Sequence, residues 1–309
     1  MQRSLVIGSR GSKLALWQAE QAQTRLLEQN PSLAVRIEII KTTGDVKRDP
    51  LSVIGGKGVF TKELEDALLE RRIDIAVHSL KDLPTILPER LIIAAICERE
   101  DPRDALVLRE LLSINSLADL TSESIIGTSS QRRLAQLKSI RSDVIVKDLR
   151  GNVDTRLRKL DEGQYDALIL ASAGLRRLGL ESRISYAISP QEMLPAVGQG
   201  AIAIQTRHDD EFAIEAVRHL EHPETRVACS AERAYLRSLG GGCQFPIAAH
   251  AVVAGDVLNL EGLVASPNGS TIIRDRVSGS PDQPEELGTL LAGKLRASGA
   301  ESLLTELMQ

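Results

Sequence analysis

The sequence predicts an α/β protein built from two copies of one architecture with a cleft between them, followed by a smaller α+β part with an antiparallel sheet. Three observations predict it. Strand and helix patterns alternate through the first two thirds of the chain, the grammar of a mostly parallel sheet. The alternation restarts after Asp101-Pro102. The last third instead runs as a helix, three alternating segments and a final helix. At 309 residues the chain is also too long for one ordinary hydrophobic core, so two or three domains are expected.

The elements read in order as follows. Leu5–Ile7 is a strand, and Lys13 to Gln29 a helix with Leu14, Leu16, Trp17, Leu26 and Leu27 as its apolar positions. Asn30-Pro31 stops that helix, and Val35, Ile37 and Ile39 alternate as a strand. A glycine-rich loop ends at Gly55-Gly56-Lys57-Gly58, then Phe60 to Arg72 is helical and Ile73 to Val77 a buried strand. After the break come strands at Ala105–Leu108, Ile125–Gly127, Val144–Val146 and Ala167–Leu170, with helices at Ser129 to Ile140 and Val153 to Asp161. Leu68–Ser79 (LLERRIDIAVHS) resembles Leu160–Ser172 (LDEGQYDALILAS): each is a helix end, a turn, an Asp, a buried strand and a Ser. Chance similarity of two helix–strand units is the alternative to an internal repeat. Pro223 to Leu239 is then a helix, Ala248–Val253, Val257–Val264 and Thr271–Val277 are strands, and Pro284 to Ala297 is a helix.

Composition narrows the function. The chain is 42% hydrophobic and 26% charged, the balance of a soluble globular protein. Aromatic residues are 2%, too few for a stacking platform, so nucleic-acid binding is not expected. A net charge of −4 confers no general affinity for polyanions, so any anion site needs local clustering of Arg and Lys. Neither a targeting signal nor a membrane-spanning run is read. Cys97, Cys229 and Cys243 fit no zinc or disulfide framework, and a reducing cytoplasm is expected.

Four basic constellations sit where a strand meets a helix or turn. They are Arg10-Gly11-Ser12-Lys13, His78-Ser79-Leu80-Lys81-Asp82, Gly127 to Arg133, and Arg150-Gly151-Asn152 with Arg156. Strand ends facing helix N-termini present N–H groups to anions, and Arg adds a bidentate fork. One such Arg is more often a plain surface residue. Four in series predict a cleft for a ligand with several negative charges. Gly55–Gly58 lacks the spacing of a phosphate loop and reads as a mobile loop or a simple turn. Asp82 reads as a carboxylate that steadies a cation or moves a proton, or as a structural partner of Lys81. Cys243, after three glycines, reads as a reactive thiol or as a small buried hydrophobe. Cys97 and Cys229 look structural, and His219 and His222 solvated; no metal site is expected.

A series of stretches then matches one family in order over most of the chain. They are Gly8–Gln18 (GSRGSKLALWQ), Thr43–Asp45, Gly55–Glu65 (GGKGVFTKELE), Asp74–Asp82 (DIAVHSLKD), Glu98–Ala105 (EREDPRDA) and Gly127–Arg133 (GTSSQRR). Leu149–Asn152 (LRGN), Ala171–Leu180 (ASAGLRRLGL), Leu194–Gly200 (LPAVGQG), Ala231–Ala234 (AERA) and Gly241–Pro246 (GGCQFP) continue it. Together they resemble the porphobilinogen deaminase family. The last sixty or so residues match only loosely.

The resemblance implies two domains like the halves of a periplasmic anion-binding receptor, at 1–98 with 200–220 and at 99–199. A cofactor-carrying domain follows at 221–309. It implies a transferase that joins four porphobilinogen molecules head to tail with loss of ammonia. The chain grows on a self-assembled dipyrromethane cofactor, and water releases the linear tetrapyrrole precursor of haem and chlorophyll. The implied cofactor thioether is on Cys243, with Lys81, Thr128, Ser129, Arg132, Arg133, Arg150 and Gly151 around it. The implied catalytic residue is Asp82. The implied substrate contacts are Arg10, Ser12, Ser79, Arg150, Arg156, Arg177 and Gln199, with Lys57 and Phe60 on the loop over the cleft. The enzyme is expected to be a cytoplasmic monomer with no nucleic-acid or membrane partner. One departure is Ser52-Val53-Ile54, where many members carry a Lys.

Two competing readings remain open from the residues. One is a non-catalytic two-domain receptor for a small oxyanion. The other, a cysteine hydrolase, lacks a supporting Cys–His arrangement.

Overall fold

The computed structural model describes residues 4–46, 58, 60–109, 114–242 and 245–308. Its strands are β1 (Leu5–Ser9), β2 (Val35–Ile39), β3 (Ile75–Ser79), β4 (Leu91–Ile96), β5 (Asp104–Leu108), β6 (Ile125–Gly127) and β7 (Ile145–Lys147). They continue with β8 (Ala167–Ala171), β9 (Tyr186–Ala187), β10 (Ile202–Arg207), β11 (Ile247–Ala254), β12 (Val257–Ala265) and β13 (Ile272–Gly279). The chain divides into two compact units, Met1–Glu100 with Ala201–Arg226, and Asp101–Gly200 with Val227–Gln309.

The first unit holds a five-stranded sheet in the order β2-β1-β3-β10-β4. The second holds a five-stranded sheet, β7-β6-β8-β5-β9, and a three-stranded one, β11-β12-β13. Both five-stranded sheets follow one plan. Their first three strands in spatial order run parallel, and the last two pair antiparallel. The expectation of a mostly parallel sheet holds for strand direction, since four of the five strands in each run one way, while β10 in one and β5 in the other run against the rest. The cause is that β10 returns to the first sheet from late in the chain, and β5 leads into the second. Neither strand is joined to its neighbour by a crossover helix.

The repeat read from the sequence holds at the level of single atoms. Ile7 pairs with Ile75 in one sheet and Ile126 with Ala167 in the other. Just before them, the Asp74 carboxylate accepts the Val6 N–H at 2.8 Å, and Asp166 accepts that of Ile125 at 2.9 Å. Gly8 and Gly127 are also equivalent, and a Cβ there would fall 2.3 Å from Ile73 or 2.6 Å from Leu168. The serines are not equivalent: Ser79 closes β3, whereas Ser172 lies one residue beyond β8.

Helix Lys13–Gln29 buries Ala15, Gln18, Ala19, Ala22 and Leu26, a face of mostly small residues that lets it lie close on the sheet. There Leu26 joins Leu5, Ile7, Ile75, Val77 and Ile204 in one core. The second unit's large sheet has cores on both faces, around Leu106 and Ile169 on one and around Val107 and Leu168 on the other. The antiparallel sheet expected in the last third is present. Helix Pro223–Ser238 contributes Ala231 and Tyr235 to its core, and helix Pro284–Leu295 contributes Leu291. This sheet also packs on helix Gln131–Ile140 through Ala135, Ala248 and Leu263. Helices Ser172–Arg177, Glu211–Val217 and Glu301–Met308 were not expected from the sequence.

Candidate functional site

The described candidate residues gather, within each unit, at the C-terminal edge of the parallel strands. This follows from the topology, because β1 and β3 run the same way, as do β6, β7 and β8.

In the first unit, Arg10 and Ser12 follow β1, and Lys81 and Asp82 follow β3. A pocket of about 70 Å³ is lined by Arg10, Ser12, Gln18, Phe60, Thr61, His78, Ser79 and Asp82, among others. Ser12 caps helix Lys13–Gln29, its side chain accepting from the Ala15 N–H. The Arg10 guanidinium lies over the Phe60 ring, 4.2 Å from its centre, a cation–π contact that orients its plane. That ring occupies space beside Gly44, where a Cβ would come within 2.1 Å of it. Gln18 donates to the Ser79 hydroxyl at 2.9 Å. Leu80-Lys81-Asp82 forms a tight helical turn anchored by the Leu80 N–H on the Ala201 carbonyl at 3.0 Å. Lys81 is half-buried and Asp82 exposed.

Two further groups line this pocket that were not expected as site residues. His78 is buried, and its Nε2 lies 3.0 Å from Gln205 Oε1. Gln205 Nε2 in turn donates to Glu65 at 3.1 Å. Burial pushes His78 down to about 4, with the Arg10 charge adding to the effect. Burial also pushes Glu65 up. Thr61 is 1% exposed, and its hydroxyl makes no hydrogen bond among the described residues. The signal missed was His78 itself, which lies inside a quoted motif. Its partner Gln205 is 127 residues away and carries no local cue.

In the second unit the residues form two clusters. One surrounds Asp148. Ser129 donates to the Leu149 carbonyl at 2.6 Å and accepts the Leu149 N–H at 3.0 Å, joining the ends of β6 and β7. Arg150 Nε donates to Asp148 at 3.1 Å, and Arg156 Nε to the Gly151 carbonyl at 2.8 Å. Burial would raise Asp148, but the Ser129 and Arg150 hydrogen bonds and the nearby Arg charges hold it below the usual carboxylate range. Thr128 is buried, its hydroxyl accepting the Ser130 N–H. Gly151 has φ of 112°, and a Cβ there would press on Thr155 at 2.7 Å, so the turn requires glycine.

The other cluster surrounds Asp104, which is fully buried. Arg132 donates to it at 2.7 and 3.2 Å, and Arg133 at 2.8 and 3.0 Å. Buried Gln199 adds a bond to the same carboxylate at 3.0 Å. Burial alone would raise Asp104, but the two guanidinium charges overcome it and hold it far below the usual range. Arg132 and Arg133 also donate to the carbonyls of Leu194 and Ile169. Both guanidiniums are thus engaged by protein groups. Arg177 donates to the Gly200 carbonyl at 2.6 Å. Lys57, on the loop, and Cys243 lie outside the described residues.

A family model described as "Porphobilinogen deaminase, dipyromethane cofactor binding domain" matches residues 5–215. A second, "Porphobilinogen deaminase, C-terminal domain", matches 226–297. Solved structures similar to the chain include the second substrate binding domain of a putative amino acid ABC transporter from Streptococcus pneumoniae. It is 12% identical, covers 77% of this chain and 95% of its own, and has a TM-score of 0.46. Lactococcus lactis GlnP substrate binding domain 2, in an open conformation, is 12% identical, covers 78% and 91%, and has a TM-score of 0.44. Likeness at this level says nothing about ligands.

Proposed function

The chain belongs to the porphobilinogen deaminase family, and from that premise we propose which of its residues bind and which react. It is a transferase that condenses porphobilinogen with loss of ammonia, and its cofactor is dipyrromethane. No described helix is long and apolar enough to cross a membrane.

The observation that carries the assignment is the pocket that places Arg10, Ser79 and Asp82 together at one sheet edge. Porphobilinogen carries an acetate and a propionate. Arg10, with its plane set by Phe60, offers a fork to one carboxylate, and Ser79, held by Gln18, offers a hydroxyl beside it. Asp82 sits on an anchored turn and supplies a fixed negative charge. It steadies the cationic methylene-pyrrole left when ammonia departs, and its carboxylate oxygen takes the proton released as the new carbon–carbon bond forms.

The donor set fits a dipyrromethane with four carboxylates. Ser129, Arg150 and Arg156 supply hydroxyl and guanidinium groups at the β6 and β7 ends, and Ser172, at the end of β8, has a buried hydroxyl with no partner among the described residues. We assign Lys81, Thr128, Ser129, Arg132, Arg133, Arg150 and Gly151 to holding the cofactor, and Cys243 to its covalent attachment. Arg10, Ser12, Ser79, Arg150, Arg156, Arg177 and Gln199 are assigned to substrate, and Lys57 and Phe60 to the loop above it. When bound, the cofactor supplies the pyrrole terminus to which incoming units are joined. We further propose a third functional domain at 221–309, beside 1–98 with 200–220 and 99–199, since β11–β13 carry a core of their own. The proposed setting is a cytoplasmic monomer that feeds haem or chlorophyll formation and binds no nucleic acid.

Asp82→Asn tests the assignment, because it keeps shape and removes charge. Single-turnover rates on cofactor-loaded enzyme should fall roughly a hundredfold or more, as for loss of a positioned electrostatic group. Asp82→Glu should retain part of the rate. An Asp82→Asn enzyme within about tenfold of the parent would remove Asp82 from the chemistry.

A further inference from the structure

Two polar groups in the first unit's pocket have no assigned task. His78 is held by a buried chain, His78–Gln205–Glu65. The Gln205 amide donates to Glu65, so its oxygen faces the imidazole, and Nε2 must carry the ring proton. Nδ1 is then an unprotonated acceptor, with no partner among the described residues. Thr61 occupies the N-cap of helix Lys62–Leu69 but makes no capping hydrogen bond, although that is the ordinary use of Thr there. Its buried hydroxyl has no partner among the described residues, which a fold tolerates at a cost unless a ligand completes it.

We propose that His78 Nδ1 and the Thr61 hydroxyl, with the Asp82 carboxylate, form the three-acceptor seat for the aminomethyl ammonium of porphobilinogen. This rests on the reading of the pocket as the substrate site. A primary ammonium has three N–H donors, and the three residues that carry these acceptors line one pocket. Arg10 is the cation of that pocket and suits the carboxylate end of the substrate, which leaves the ammonium to the acceptors. Acids at Glu63 and Glu65 in the helix's first turn offset the positive helix terminus near Thr61.

The chemistry requires this kind of acceptor. The carbon–nitrogen bond breaks with its electron pair going to nitrogen, while the pyrrole nitrogen's lone pair forms the exocyclic double bond. Nitrogen leaves as neutral ammonia only if it enters the step as ammonium. A strong base would take that proton and leave a poor leaving group. A neutral imidazole held far below its ordinary basicity binds the ammonium without deprotonating it.

Two substitutions separate this role from folding. In His78→Gln the new amide nitrogen can still donate to Gln205, but no acceptor stands where Nδ1 was. Thr61→Val removes a hydroxyl that has no partner among the described residues, so the fold should be as stable or more so. In each holoenzyme, with cofactor load checked by intact mass, kcat/KM for porphobilinogen should fall roughly 10- to 100-fold, the loss of a hydrogen bond to a charged group. The second readout is calorimetric binding of an acetate–propionate pyrrole that lacks the aminomethyl group. Its affinity should stay within about twofold of the parent. His78→Asn, which returns an oxygen near the Nδ1 position, should recover part of the lost rate. The inference is overturned if both variants turn over like the parent, or if they lose substrate and analogue by the same factor. A parent enzyme that did not consume porphobilinogen would instead sink the functional reading beneath it.

Discussion

Replacing Asp104 with Asn should unfold the second unit far more readily, and its size follows from the contacts. The carboxylate receives four hydrogen bonds from two buried guanidiniums, at 2.7 to 3.2 Å, and a fifth from Gln199 at 3.0 Å. Asn keeps the shape but removes the charge and turns N–H groups toward two cations. Breaking a buried ion pair from one side costs about 3–5 kcal/mol, because the surviving charge is stranded in a poor solvent. Here two charges are stranded. Exchange protection of the β5 and β8 amides, read by mass spectrometry, should therefore drop by roughly two to three orders of magnitude. The pH dependence has a definite sign. The folded Asp104 titrates far below its unfolded value, so its contribution is complete above about pH 4. It fades only as pH falls further toward the folded value. The loss should consequently be the same at pH 5 and pH 7. Protection within about tenfold of the parent would mean that Asp104 does not hold Arg132 and Arg133 in place.

Other outcomes follow from the same structure. Arg150→Leu and Arg156→Leu should each weaken carboxylate binding by roughly 1.5–3 kcal/mol, and native mass spectra at limiting substrate should show stalled chain lengths; a normal ladder from both would count against their assignment. His78, at about 4 when folded against 6.5 when unfolded, should cost stability as pH falls from about 6.5 to 4, then level off. That span corresponds to about 3 kcal/mol, so denaturant titrations should show His78→Gln losing that much less than the parent between pH 7 and 4; equal losses would show that His78 is not neutral in the fold.

Much of the architecture was legible because it is written in local pattern. The alternating strands, the restart after Asp101-Pro102 and the repeat around Asp74 and Asp166 all report through periodicity. What was illegible depends on distant partners. β10 is buried along its whole length, yet ends Gln205-Thr206-Arg207, polar residues that hide it from a hydrophobicity reading. Arg207 is sealed inside by carbonyls of Leu68 and Ile73 and by the carboxylates of Asp74 and Asp210. Likewise the sequence marks Arg132 and Arg133 as basic but does not show that Asp104 claims them. The loop Lys57 and the thiol of Cys243 lie outside the described residues, so their assignment stands on motif alone.

The assigned thiol, Cys243, makes the protein a transferase that carries its dipyrromethane covalently. The intact mass of the purified, denatured chain tests it most directly. The parent and a Cys229→Ser variant should each exceed the polypeptide mass by two pyrrole units, while Cys243→Ser should fold, carry no excess and show little activity. A parent with no excess mass, a Cys243→Ser chain that kept it, or a Cys229→Ser chain that lost it would rule out Cys243 as the attachment site.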